Sequence, residues 1–280
     1  MGRVTRRHPV QRFESSSPHR RVETLAVEEP LEIRINSESF LVTMRTPGDD
    51  IDLVHGLLFR ESVIRRRSDV VVARYCDGAG MDGLNTYNVL NVQLAGHVLP
   101  PLPELQRKVL TTSACGICGT TTIEQVLRTS AFALPTGLTI AADVVLEAPN
   151  QLRLRQRGFD QTSGLHAAGL MSLAGASICV REDVGRHNAV DKVVGWALRE
   201  DRLPLADSIL VVSGRASFEL TQKAVLAGIP ALAAVSAPSS LAVELARQAG
   251  LTLIGFVRGR TMSVYTHPER IRNVAVSAST

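Results

Sequence analysis

The sequence predicts an α/β protein in which a β-rich N-terminal subdomain precedes a larger unit of strands alternating with helices. Three observations carry that expectation. Beyond about residue 143, strand-like and helix-like apolar runs alternate at the spacing of βαβ crossovers, which implies a mainly parallel sheet with helices on its faces. Before residue 110 the apolar residues recur instead in short period-two runs, the pattern of half-buried strands. The chain of 280 residues is 45% hydrophobic and 21% charged, a globular balance. Its length suits one large domain or two modest ones, with a core sizeable enough to stand without disulfides.

Residues 1–21 hold six arginines against Glu14 alone, for a net charge of +5. The whole chain carries +4, so the body is close to neutral and the basicity sits in the tail. With Ser15-Ser16-Ser17-Pro18 inside it, the tail is expected to be a disordered basic arm; a transit peptide is the alternative. Residues 22–142 form the expected β-rich subdomain. Val22–Glu29, Leu31–Ile35 and Ser39–Met44 read as strands, with a turn at Asn36-Ser37-Glu38. Thr46-Pro47-Gly48-Asp49 leads into a helix whose apolar positions are Ile51, Val54, Leu57 and Leu58. Val70–Tyr75 and Tyr87–Leu94 are two more strands. A small, polar stretch from Thr111 to Gly119 follows, then a helical pattern over Thr121–Arg128. Residues 143–280 are the α/β unit. A helix over Val144–Arg157 opens it, with strands at Ser177–Arg181, Ser208–Val212, Ala231–Val235 and Leu251–Phe256. The intervening helices are His187–Arg199, Phe218–Ala227 and Ser240–Ala249.

Several classes are excluded or disfavoured. No apolar run reaches the length of a spanning helix, so no membrane partner is expected. The N-terminus lacks a signal-peptide h-region, which points to a cytoplasmic protein, and the four cysteines make no disulfide framework. There is no P-loop lysine motif and no G-x-G-x-x-G. A nucleic-acid partner is not expected, because the charge excess is confined to the tail.

Cys115-Gly116-Ile117-Cys118 is the sharpest chemical feature. A thiolate near a helix N-terminus is stabilised by the free amides and the dipole. One CxxC supplies half the ligands of a structural zinc, so no metal is expected. Dithiol–disulfide exchange, inert core cysteines and sulfur handling remain, and a glycine-framed loop suits persulfide handling best. Cys76 and Cys179, set in apolar strands, fit inert burial.

Three strand-to-helix junctions carry the rest. Arg181–Lys192 crowds ionisable residues around His187, and a solvated helix start capped by Asp183 or Asn188 is the plainer account of it. Ser213-Gly214-Arg215-Ala216-Ser217 offers hydroxyls, amides and a guanidinium, a natural phosphate cradle. Gly255–Thr261 sets Arg258 and Arg260 around Gly259, beside a Phe256 that can stack on a base. Strands of open α/β sheets present ligand groups at their carboxyl ends, so the three together point to a pyrophosphate-bearing, nucleotide-like ligand.

These strings, with Gln222-Lys223-Ala224 and the run to His267-Pro268, resemble the FdhD family over nearly the whole chain after the tail. That resemblance implies a sulfur carrier required for formate dehydrogenase activity. It takes persulfide sulfur from a cysteine desulfurase and passes it to the bis-molybdopterin guanine dinucleotide form of the molybdenum cofactor, bound as substrate. It implies a cytidine-deaminase-like three-layer core with a mixed sheet, and a homodimer. Cys115 would carry the persulfide, and Phe256, Val257, Arg258, Gly259, Arg260 and Thr261 would line the cofactor site. Ala114 stands where the family often has serine. The H-x-E of zinc deaminases is missing, since Asn188 and Ala189 follow His187, so deamination is not supported. A non-catalytic cofactor-binding chaperone with structural cysteines is the alternative activity.

Overall fold

A computed structural model describes residues 4–14, 17–76, 86–100 and 123–273. Cys115 and Cys118 lie outside these residues.

Strands β1 (Thr5–Glu14) and β2 (Ser17–Ala26) pair antiparallel over their whole length. This corrects the expected disordered arm. Ten cross-strand residue pairs hold the two segments in register, and Thr, Val and Phe positions suit extended chain however many arginines they neighbour. Most of the hairpin's side chains remain exposed.

The next sheet contains β3 (Glu29–Ile35), β4 (Glu38–Arg45), β5 (Val70–Tyr75) and β6 (Val89–Leu94), in the order β4-β3-β6-β5. The β3–β4 turn places Asn36 and Ser37 at φ of 50° and 75°. Two successive left-handed residues give the turn twist that closes a tight hairpin. Leu31, Ile33 and Ile35 of β3 and Leu90, Val92 and Leu94 of β6 face α1 (Asp50–Arg60). Leu53, Val54, Leu57 and Leu58 of α1 complete this core, each contributing roughly 1.5–3 kcal/mol by burial.

The opposite face of α1 lies on α5 (Arg186–Arg199). A Cβ on Gly56 would strike the carbonyl of Asp191, and one on Gly195 would strike that of Asp52. The two helices cross backbone to backbone, so the β-rich half is fused to the larger sheet.

That larger sheet has six strands in the order β13-β12-β11-β10-β8-β9. They are β8 (His166–Ser172), β9 (Ser177–Asp183), β10 (Ser208–Val212), β11 (Ala231–Ala234), β12 (Thr252–Arg258) and β13 (Thr261–Val264). Only β10–β11 and β11–β12 are parallel pairings, whereas β9–β8, β8–β10 and β12–β13 are antiparallel. The sheet is therefore mixed, as the family resemblance implies, and the mainly parallel reading of the alternating runs is corrected. The pattern hid β8 because its sequence, His-Ala-Ala-Gly-Leu-Met-Ser, is poor in β-branched residues.

Along β10 the side chains alternate between two cores. Leu210 and Val212 face α5, α6 (Phe218–Leu226), α7 (Ser240–Ala249) and Val126 of α2 (Ile123–Thr129). Ile209 and Val211 face α3 (Ala142–Arg153). The result is three layers, helix on sheet on helix. The helix expected over Val144–Arg157 is divided, since α3 ends at Arg153 and α4 runs over Arg157–Thr162. Glu182 holds the second piece by accepting from the amides of Gly158 and Phe159, both at 2.8 Å. A short parallel bridge between β7 (Ile140–Ala141) and β14 (Ile271–Arg272) ties the end of the described chain to the start of α3.

Candidate functional site at the carboxyl edge of the sheet

Because β8 is antiparallel to both β9 and β10, the strands β9, β10, β11 and β12 all end on one edge. The three junctions singled out in the sequence meet there. Their loops are laced by hydrogen bonds that run across the strand ends. Ser213 Oγ accepts from Ala167 N at 2.9 Å, Ser236 N donates to Gly214 O at 3.3 Å, and Phe256 N donates to Ser236 O at 3.2 Å. Such an edge is rigid in its backbone while its side chains stay available.

At one end sits the β12–β13 connection. Phe256 adopts φ +52°, a left-handed conformation rare for a bulky residue, where the β12–β13 register shifts. Its ring is 38% exposed while Val257 beside it is fully buried. The Arg258 guanidinium lies 5.5 Å from the Phe256 ring centroid, and Gly259 takes φ +56° to turn the chain. Thr261 Oγ1 closes the turn on the Arg258 carbonyl at 3.1 Å. Arg258 and Arg260 have no carboxylate partner among the described residues. Phe256, Arg258 and Arg260 thus offer an aromatic ring and two guanidinium groups without a carboxylate partner among the described residues, a fitting set for a guanine base and phosphates.

At the other end α5 begins. His187 Nε2 lies 2.7 Å from Glu219 Oε2 and 3.5 Å from Ser217 Oγ. The hydrogen bond from His187 holds the Glu219 carboxyl below its ordinary value, against the opposing effect of partial burial. His166 opens β8 directly opposite Asp183, and an imagined Cβ on Gly214 would sit 3.6 Å from its Nδ1. Burial, aided by Arg186 and His187, pushes the His166 imidazole down towards its neutral form. Sequence reasoning passed over His166 because it lies in the unrecognised strand β8.

Behind the edge Asp183, Asp191 and Lys192 of the same segment are buried and paired. Asp183 does not cap the helix as the plainer account of Arg181–Lys192 had it. It is buried, with Lys192 Nζ at 2.8 Å and Thr46 N at 3.1 Å on one oxygen. Gly185 N at 2.8 Å and Asn188 Nδ2 at 3.2 Å occupy the other. Lys192 spends its remaining donors on the carbonyls of Thr46 and Glu182, at 3.0 and 3.1 Å. Lys223 is buried too, with Asp191 Oδ2 at 2.7 Å and the His187 carbonyl at 3.0 Å. Burial draws the Lys223 ammonium down, and Asp191 opposes that shift. Both lysines are structural. Cys179 is likewise buried, which pushes its thiol up to about 12, so it is inert.

A family model described as FdhD/NarQ matches residues 26–272. The chain belongs to the FdhD/NarQ family. It is 58% identical over 280 residues to the sulfur carrier protein FdhD of Nocardia farcinica, covering all of this chain and 99% of that one. It is 53% identical over 276 residues to the sulfur carrier protein FdhD of Mycobacterium tuberculosis, covering 97% and 100%. A crystal structure from Desulfotalea psychrophila, described as a formate dehydrogenase accessory protein, matches with TM-score 0.75 and 23% identity. It covers 96% of this chain and all of that one, a likeness of fold. Within the FdhD/NarQ frame the structure places Phe256–Thr261 on the carboxyl edge, and it brings Arg186, His187 and Arg215 to that same edge. No helix among the described residues is long and apolar enough to cross a membrane.

Proposed function

We propose that this protein carries sulfur as a persulfide on Cys115 and delivers it to the bis-molybdopterin guanine dinucleotide form of the molybdenum cofactor, held along Phe256–Thr261. The sulfurated cofactor then enters formate dehydrogenase. The reading rests on membership of a family whose relatives are named sulfur carrier proteins, with one observation of this chain beneath it. That observation is the strained, exposed Phe256 with Arg258 over its ring at the carboxyl edge.

The loading step balances as an exchange. The Cys115 thiolate attacks the outer sulfur of a donor persulfide, a new S–S bond forms, and the donor sulfur leaves as its thiolate with the bonding electron pair. A cysteine desulfurase is the donor this chemistry asks for. The chain's own contribution to the cofactor is to hold guanine on Phe256 and phosphate on Arg258 and Arg260, fixing its position for the transfer. The protein works as a cytoplasmic homodimer in which the second copy completes the cofactor pocket, and its three-layer core is of the cytidine-deaminase-like kind.

Incubating the protein with a cysteine desulfurase and cysteine, followed by intact-mass and peptide mass spectrometry, tests the carrier step. A mass increase of one sulfur atom on Cys115 is expected, absent in Cys115→Ala, and that variant is expected to fail in restoring formate dehydrogenase activity to a deletion strain. Full restoration by Cys115→Ala would overturn persulfide carriage and leave a cofactor-binding chaperone as the better account.

A further inference from the structure

The Phe256–Arg260 tip accounts for one end of the carboxyl edge, and the other end carries two arginines of its own, Arg186 and Arg215. Arg186 Nε is shielded from solvent and has no hydrogen-bond partner. A guanidinium N–H left that way costs free energy unless something fills the place. Arg186 and Arg215 form no ion pair among the described residues, although Arg45, Arg60, Arg181 and Arg199 all do.

The surrounding groups assemble on several elements. His166 comes from β8, Arg186 and His187 from α5, and Arg215 from the loop between β10 and α6. That loop passes His166 at Gly214, where a Cβ would lie 3.6 Å from Nδ1, and meets His187 at Ser217 Oγ, 3.5 Å away; Arg215, between these two positions in sequence, is exposed. The carboxylates nearby are engaged: Asp183 by Lys192, and Glu219 by His187. What remains is Arg186 and Arg215, two guanidinium groups at the sheet edge without a carboxylate partner among the described residues, beside His166 and the Glu219-bound His187. Guanidinium donors of this kind, beside a glycine and serine hydroxyls, select a phosphoryl group.

We propose that His166, Arg186, His187 and Arg215 form a second anion subsite on the carboxyl edge, one that holds a phosphate or diphosphate group. The inference rests on the nucleotide reading above, in which the dinucleotide cofactor brings more phosphates than Arg258 and Arg260 can hold. Free inorganic phosphate shares the chemistry, and the probes below separate the two sources.

The test is calorimetric titration of the full-length protein with inorganic pyrophosphate, GDP and guanosine. The wild type is expected to bind pyrophosphate and GDP in competition. Arg215→Gln and Arg186→Lys should each weaken both by roughly 10- to 100-fold, the range for a hydrogen bond to a charged group. The lysine variant keeps the charge and removes the fork. Guanosine affinity should be unchanged. A tighter GDP than pyrophosphate complex makes the nucleotide the source, and equal affinities make the free anion sufficient. Nitrogen-detected titration of the histidines gives a readout of placement: bound pyrophosphate should raise the titration midpoint of His166. GDP binding unaffected by either arginine variant but lost in Arg258→Gln would overturn the subsite and leave the nucleotide reading standing. Binding of neither anion by the wild type would overturn both, and persulfide formation on Cys115 would be unaffected by that result.

Discussion

The twelve residues from Arg181 to Lys192 serve two regions that use the same chemistry to opposite ends. At the seam with the β-rich half, Asp183, Lys192, Thr46 and Asn188 form a dry network in which both charged groups have every position occupied. One turn away, at the carboxyl edge, Arg186 keeps an N–H without a partner and His187 is partly exposed. The contrast teaches that ionisable residues crowded in one motif divide by their partners. Those that find carboxylates and carbonyls inside the chain hold the fold, and those left over await a ligand.

The largest expected effect falls on the seam. Lys192→Met leaves Asp183 as a buried charge without its cation, which should cost about 3–5 kcal/mol in urea unfolding. Arg215→Gln, an exposed cation on the other region, should change stability by no more than about 0.5 kcal/mol. Equal losses in the two variants would break the comparison. Gly195→Ala attacks the same seam sterically, because its methyl would meet the Asp52 carbonyl of α1. Neither backbone can retreat without opening the helix crossing, so a loss of about 1–3 kcal/mol or more is expected from thermal and denaturant unfolding.

A smaller effect belongs to the Glu219–His187 contact, which sits between the two regions. The folded carboxyl lies below its ordinary value of 4.5. A depressed carboxyl contributes stability that is fully present above 4.5 and disappears as pH falls through the folded value. Glu219→Gln should therefore cost about 1 kcal/mol at neutral pH and flatten the stability curve on its acid side. Unfolding followed from pH 7 downwards checks this: coincident curves for variant and wild type would show that the contact contributes nothing.

How far the sequence disclosed these regions follows from the range of the interactions. Helix and strand runs such as Ser208–Val212 and Ser240–Ala249 were legible to the residue, because periodicity and caps are local. Strand β8 was not, since Ala167, Ala168 and Gly169 carry no strand preference and are strand only by pairing with β9 and β10. The hairpin of β1 and β2 was missed for a related reason: composition reads charge, and pairing is a cooperative event between segments. At the site, the junction motifs were visible as strings. Which of their charges would be neutralised was not, because Thr46 stands 146 residues from the Lys192 it binds. Phe256 was legible as an aromatic beside arginines, whereas its left-handed backbone appears only where β12 and β13 shift register.

That backbone gives the smallest stability change and the finest test of the two regions. A left-handed conformation costs an L-residue with a Cβ about 1–2 kcal/mol, and glycine adopts it freely. Glycine also loosens the unfolded chain, which takes back about 0.4–1 kcal/mol. Phe256 is 38% exposed, so truncation removes only part of the packing of a core phenylalanine. Phe256→Gly should thus stay within about 1 kcal/mol of wild type. Phe256→Ala keeps the strain, loses the ring and should be the less stable of the pair. Both should lose affinity for GDP, since the stacking face is gone in each, and base–aromatic stacking is worth about 1–3 kcal/mol. If instead Phe256→Gly unfolds as easily as Lys192→Met, the tip belongs with the seam as a piece of structure. If it folds as well as wild type and fails to bind the nucleotide, the strain at Phe256 is held in place for the ligand.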